Sequence, residues 1–423
     1  MVLPLGIKRQ YITNRSKVFS PANVVLFLTW WLYAMYFAGR FNYSPMVPLI
    51  KLDLGLTNAQ AGWIMACFFI GYTAFQIPSG FIGDHFGPRK ALTWGAIVSV
   101  IGNLLISQGA TLPALAAGQL VNGLGQAMGW NSAIKMIVNW FPRSRRATAI
   151  GLFITCVTIG SSFGIRLSGF LGDRMGWRSA FIILPGVLGL SALVFWSVVR
   201  DTPGEKGLPD FDDEAHIERR ILNDPRPRLI MMLSSRTLWL VGLVYFCFVY
   251  VQFGCLVWIP SYVTETWSMN VNRASLLSSL VLLPGVFAAP LGGHLSDHYF
   301  RGRRKPLIFF GMVVLAGSCF VLATGVGVAL GCVVLSLVGL MIIMPDILLA
   351  AYPSDIFSRK LAATAMGFLA TFTSTAGIVS TAISGKLADV TGSFGITFTC
   401  FGVVALVGAV LTCLISESST ATE

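Results

Sequence analysis

The chain has 423 residues, of which 55% are hydrophobic and only 11% charged, with a mean hydropathy of +0.74. Soluble domains carry about 25% charged residues, so a soluble globule is excluded. The net charge of +12 could suit a nucleic acid, but the basic residues lie between apolar runs and build no patch, so no nucleic-acid partner is expected.

Twelve apolar runs recur at about 30-residue spacing, each near the ~20 residues that a helix needs to cross a hydrocarbon core. In chain order they cover 23–46, 58–82, 89–108, 112–139, 147–171, 177–199, 237–262, 273–299, 305–324, 328–352, 361–387 and 392–416. Lipid leaves open strand edges unsatisfied, and the runs lack the alternation of an outer-membrane barrel. The predicted fold class is an all-α membrane protein with twelve transmembrane helices. Residues 1–22 read as a tail, 23–199 as one six-helix bundle, 200–236 as a polar central loop, 237–416 as a second six-helix bundle and 417–423 as a second tail.

With the N-terminus inside, the inside segments hold Lys8, Arg9, Arg89, Lys90, Arg143, Arg145, Arg146, Arg304, Lys305, Arg359 and Lys360. The outside segments hold Lys51, Arg174, Arg178, Arg273 and Lys386. By the positive-inside rule both termini are expected in the cytoplasm, in a multi-pass inner-membrane protein. The basic N-terminal segment has no evident small-residue cleavage site, so the first run reads as a retained helix. All eight cysteines fall inside predicted helices without CxxC spacing, which predicts no disulfide, no metal site and no cofactor. The acidic run Asp210, Asp212, Asp213 and Glu214 reads as a solvated face.

A glycine followed four residues later by aspartate recurs at Gly80–Asp84, Gly169–Asp173, Gly293–Asp297 and Gly385–Asp389. Each copy closes the middle helix of a triplet. On the topology above the first and third copies end in the cytoplasm and the second and fourth outside, as inverted three-helix repeats nested in two parallel halves require. The first copy runs on through Gly87, Arg89 and Lys90. Gly80 permits close helix approach, Gly87 a tight turn, and Asp84 a pairing with Arg89 at a helix end that latches one conformation. The third copy runs on through Gly302, Arg304 and Lys305, with two extra residues before its glycine. This GxxxDxxGxRK pattern strongly resembles the signature loop of the major facilitator superfamily. The resemblance covers the whole chain and implies alternating access by two six-helix bundles, with Gly80, Asp84, Gly87, Arg89, Lys90, Asp297 and Arg304 as the latch.

Ionisable groups at mid-membrane are costly, so each one is a functional candidate. Arg40 lies deep in the first run, with Tyr33, Phe37, Tyr43 and Ser44 one or two turns away. A guanidinium stays charged and grips a carboxylate or phosphate with a bidentate fork, so a small organic anion is its natural partner. Arg166 in the fifth run, near Thr155, Thr158 and Ser162, reads as a second anion ligand or, equally, as a structural partner of Asp173 or an interface-seeking side chain. Lys135 in the fourth run reads as an interface-seeking cation. Asp346 follows Pro345 in the tenth run. Burial favours the protonated carboxyl, so Asp346 reads either as a proton-coupling site or as the partner of a buried cation. Trp130, Asn131, Tyr245, Gln252, Thr371 and Thr375 are candidate pocket walls.

Arg40, with WFPRSRRATAIG from Trp140 and GWRSAF from Gly176, is similar to the anion:cation symporter branch of the superfamily, whose members handle organic anions. The resemblance implies that Arg40 contacts the anionic substrate. Proton-coupled sugar-acid members often carry Asp and Glu where this chain has Gly39 and Gln126. Organophosphate:phosphate antiporters carry Arg and Lys where it has Gln252 and Gln76, and Gln119 replaces a frequent arginine. A carboxylate or sugar acid is therefore favoured over a phosphate ester. The expected function is secondary active transport of a small organic anion by alternating access, coupled to a proton, Na+ or a counter-anion, by a monomer in the bilayer. The expected substrate contacts are Arg40, Arg166, Tyr33, Phe37, Gln126, Trp130, Tyr245 and Gln252. A drug or metabolite efflux pump and a non-transporting sensor are the alternatives on the same fold. No triad, metal cluster or nucleotide loop suggests an enzyme.

Overall fold

A computed structural model describes residues 20–209, 234–288, 299–300, 304–356 and 359–415. Within these, each apolar run forms one helix or a broken pair. The first half comprises α1 (Pro21–Phe41), α2 (Tyr43–Leu54), α3 (Asn58–Phe86), α4 (Pro88–Gln108), α5 (Leu112–Ala127), α6 (Gly129–Trp140), α7 (Arg143–Met175) and α8 (Trp177–Val198). The second comprises α9 (Arg236–Thr266), α10 (Val271–Leu282), α11 (Lys305–Ala323), α12 (Val328–Met341), α13 (Met344–Ile356), α14 (Arg359–Thr391) and α15 (Phe394–Cys413).

Among the described residues, 11 stretches are long and apolar enough to cross a membrane. The fourth predicted run is the exception, because it divides at Met128 into α5 and α6, of 16 and 12 residues. The first run also breaks, at Asn42, and continues as α2 to Leu54, so Lys51 lies within a helix and not in a loop. The tenth breaks at Ile342 and Ile343. Pro45 and Pro345 explain two of these breaks, since each withholds the N–H that would bond the carbonyl four residues earlier. The break at Met128 has glycines instead: a side chain on Gly125 would strike Ser99 N at 2.5 Å, and one on Gly129 would strike the Tyr33 ring at 2.6 Å. The three breaks thus fall in α1–α2, α5–α6 and α12–α13.

The halves meet where α3 packs along α14 and α7 along α10. Small residues permit this: Gly62 faces the Thr381 carbonyl, Gly385 faces the Asn58 carbonyl and Gly169 faces Ser275. Polar contacts across the seam share one location. Ser44 Oγ donates to the carbonyls of Leu256 (2.9 Å) and Val257 (2.6 Å), and Lys51 Nζ pairs with Glu265 at 3.0 Å. Asp389 accepts from the backbone N–H groups of Asn58 (2.9 Å) and Ala59 (2.7 Å). All lie towards the end of the bundle where α2 and α9 finish. Among the described residues no hydrogen bond or ion pair joins the halves at the other end, where α1 and α9 begin. The described polar contacts between the halves thus gather at the end where α2 and α9 finish, the closed end.

Candidate functional site

Arg40 sits in the last turn of α1, one turn before Ser44 and the closed seam. It is only 5% exposed. Its Nε donates to Gln126 Oε1 at 2.9 Å, and its guanidinium carbon lies 4.4 Å from the Phe37 ring centre, 5.0 Å from that of Tyr72 and 5.3 Å from that of Phe68. Nη2 is buried without a hydrogen-bond partner. Among the described residues no carboxylate reaches Arg40, so a permanent positive charge stands out of water with aromatic faces and one amide oxygen for company. Cation–π contacts return about 0.5–2 kcal/mol each, against several kcal/mol for removing an ion from water.

The polar network behind Arg40 fixes its orientation. Gln126 Nε2 donates to Tyr36 O at 2.9 Å, which turns Oε1 towards the arginine. Asn122, one turn earlier on α5, accepts from Ser99 Oγ at 2.6 Å and donates to Gly39 O at 3.2 Å. Gln119 Oε1 accepts from Asn122 in turn, at 3.3 Å. Tyr33 and Trp130 join the wall from α1 and α6: the Tyr33 ring lies 5.4 Å from Phe37, 5.8 Å from Trp130 and 5.3 Å from Phe153. Arg40, Tyr33, Phe37, Gln126 and Trp130 are thus brought together. Phe68 and Tyr72 were not singled out in the sequence, although their four-residue spacing places both rings on one face of α3.

On the other half, Tyr245 and Gln252 converge on α13. Tyr245 Oη donates to Asp346 Oδ1 at 2.7 Å, and Gln252 Nε2 donates to Ile342 O, the carbonyl at the α12–α13 break, at 2.5 Å. The expected cation partner of Asp346 is not found among the described residues; a tyrosine hydroxyl takes its place. Phe253, beside Gln252, packs against Phe69 at 4.5 Å, so α3, which carries Phe68 and Tyr72, touches the second half there.

Other expectations are corrected. Arg166 does not pair with Asp173: its Nη1 donates to Asn272 Oδ1 at 2.6 Å across the α7–α10 seam. Gly164 packs on Ala38, so Arg166 lies at the depth of Arg40 but serves the joint between the halves. Asp84 pairs with Lys135 at 2.7 Å and not with Arg89, and Lys135 also donates to Gly83 O at 2.9 Å, so this lysine is tied down and does not reach for the interface. Arg89 lies 4.0 Å over the Trp196 ring and donates to Trp196 O at 3.1 Å, while its backbone N–H is capped by Asp201 at 2.7 Å. Gly87 does make the tight turn, with φ +88°. A side chain added at Gly80 would meet nothing within 4 Å, so no close helix approach depends on this glycine here, and Lys90 is exposed. Arg304 Nη1 reaches Leu348 O at 3.5 Å; Gly293 and Asp297 lie outside the described residues, as does the acidic run at 210–214. Thr371 and Thr375 line a recess of about 320 Å³ with Leu243, Phe246 and Phe372, but their hydroxyls donate within α14.

The sequence model of the Major Facilitator Superfamily matches residues 29–381 and 243–422. The chain belongs to this superfamily. Among relatives of known name, the "Probable sulfoacetate transporter SauU" of Cupriavidus necator is 29% identical over 398 residues, 91% of each chain. The "Hexuronate transporter" of Bacillus subtilis is 26% identical over 400 residues, 90% of this chain and 92% of the relative. Of solved structures, a bacterial homologue of the human lysosomal transporter Spinster superposes with a TM-score of 0.81 over 94% of this chain and 97% of its own, at 16% identity. That likeness establishes the fold: the chain is an all-helical, multi-pass membrane protein of the major facilitator type.

Proposed function

We propose that this superfamily member is a secondary transporter that carries a small organic anion between its two halves by alternating access, with Arg40 as the clamp for the anion. The carrying observation is the buried, unpartnered Nη2 of Arg40 with no carboxylate in reach among the described residues. An anion entering beside Phe37, Phe68 and Tyr72 supplies the missing charge and the missing acceptor at once. With the termini in the cytoplasm, the closed end faces outward and the site opens inward. The relatives named for sulfoacetate and hexuronate fit a substrate with a carboxylate or sulfonate group, while others are named for hexose phosphate and glycerol-3-phosphate. A phosphate dianion asks for a second cation, and Gln252 and Gln76 offer amides where that charge is needed.

The test is thermal stabilisation of the purified full-length protein by sulfoacetate, D-glucuronate, D-glucarate and glucose 6-phosphate, repeated on Arg40→Ala. A ligand bound only by the folded state raises apparent stability with its concentration. Stabilisation by a carboxylate or sulfonate that disappears in Arg40→Ala is the expected result. Stabilisation that survives the substitution, or that only cationic compounds produce, would remove Arg40 from its role and the organic anion from the reading.

A further inference from the structure

The site has a second charged station that the anion does not explain. Asp346 faces Tyr245 in the second half, opposite the half that holds Arg40, and it too makes no ion pair among the described residues. Each station is steadied by a glutamine. Gln126 accepts from Arg40, and Gln252 binds the carbonyl freed at Ile342, one turn from Asp346. The two stations also share a helix break, at Met128 on one side and at Ile342–Ile343 on the other, as discontinuous helices do at ion and substrate sites.

We propose, building on the organic-anion reading, that Asp346 is the proton site that makes this protein a proton:anion symporter. Its carboxylate takes up a proton from the outer side, where it forms a neutral acid beside Tyr245, and gives the proton to water on the inner side. The accounting is simple: with Arg40 positive and Asp346 negative, the empty site is neutral. One monoanion plus one proton keeps it neutral, so the pair crosses together, one of each; sulfoacetate, a dianion at neutral pH, needs a second proton on its own carboxylate. A bound anion facing an ionised Asp346 would meet a like charge out of water, which makes the proton a condition of anion transport.

The surroundings favour a proton over a metal cation. A sodium ion needs several oxygen ligands, and the Ile342 carbonyl at the helix break is already filled by the Gln252 amide. The charged and titratable groups on the elements packed against α13 are otherwise engaged. From α9, Tyr245 binds Asp346, Tyr250 Oη lies against Cys400 Sγ at 3.8 Å and Cys247 packs at Gly408. From the start of α11, Arg304 reaches Leu348 O, and Lys305 donates to Cys413 O and Ile415 O, both at 2.8 Å. Cys319 of α11 is buried, Cys332 of α12 is half-buried, and Lys386 and Asp389 of α14 stand at the closed end. The proton carriers that the sequence lacks in the first half, where Gly39 and Gln126 stand, are thus replaced by a carboxylate in the second.

The first arm of the test needs no substrate. Infrared spectra of the full-length protein in lipid are followed from about pH 5 to 9, a range that spans displaced carboxylates; a protonated-carboxyl band should titrate in it, vanish in Asp346→Asn, and move its midpoint by roughly one unit in Tyr245→Phe, which loses the hydrogen bond to the charged form. The second arm uses proteoliposomes loaded with a pH-sensitive dye and given sulfoacetate outside. Asp346→Asn should lose internal acidification and at least tenfold of gradient-driven accumulation while keeping sulfoacetate-for-sulfoacetate exchange. Absence of the band, its survival in Asp346→Asn, an unmoved midpoint in Tyr245→Phe, or retained proton-driven accumulation would overturn the proposal. Loss of all sulfoacetate binding with the band intact would count against the choice of anion and leave the proton site standing.

Discussion

Asp389, at the end of α14, caps the first turn of α3 in the opposite half, accepting the Asn58 N–H at 2.9 Å and the Ala59 N–H at 2.7 Å. A carboxylate at a helix N-terminus satisfies orphan donors and meets the positive end of the helix dipole. Its own repeat unit brings it there: Gly385, one turn earlier, lies on the Asn58 carbonyl, where a larger residue would hold the helices apart. The fourth copy of the Gly–Asp repeat therefore binds the halves together at the closed end, while a side chain at Gly80 of the first copy would have open space.

From this follows a shift in conformational equilibrium. Replacing a capping carboxylate by alanine costs about 0.5–2 kcal/mol, which is roughly a two- to thirty-fold change in population. Asp389→Ala should widen the distance between spin labels placed at Leu52 and Val390, which are 84% and 77% exposed at the closed end. An unchanged distance distribution would show that the cap does not hold the halves.

Gly62 tests the same seam by volume. Gly62→Val would drive a side chain into the Thr381 carbonyl, so the closed end should open without loss of the helical circular dichroism signal. Labels at Leu52 and Val390 that remain at their original spacing would contradict this.

The Asp84 pairing has a thermodynamic signature. In a double-mutant cycle, Asp84→Ala and Lys135→Ala should show a coupling energy of up to about 1 kcal/mol, as partly exposed pairs do. Asp84→Ala and Arg89→Ala should add to within about 0.3–0.5 kcal/mol, since they share no partner. Strong coupling of Asp84 to Arg89 would restore the pairing that the sequence suggested.

Around Arg40, the rings and the charge should separate experimentally. Arg40→Lys keeps the charge but loses the fork and the flat face, so binding of the anion that stabilises the native protein should fall at least tenfold, about 1.4 kcal/mol. Tyr72→Leu should also weaken binding, by about 0.5–2 kcal/mol, because it removes one of three rings that share the guanidinium. Equal affinities for Arg40→Lys and the native protein would show that charge alone matters.

Much of this protein was legible in the chain because the bilayer enforces it. Twelve apolar runs, the fourfold Gly–Asp repeat and a lone Arg40 in an aromatic helix are statements about what lipid tolerates, and these each residue makes locally. The sequence therefore determined the apolar runs and the candidate anion clamp. It could not determine partners distant in sequence. Asp84 chose Lys135 over the nearer Arg89 because α3 and α6 cross there. Arg166 met Asn272 because α7 and α10 form the seam, and Tyr245 met Asp346 across 101 residues. Phe68 and Tyr72 joined Arg40 only once α3 had packed on α5, the helix that also carries Gln126. Those choices rest on which helix faces pack together, and packing is a property of the assembled bundle: small residues and buried polar groups find their complements only when all the helices are in place.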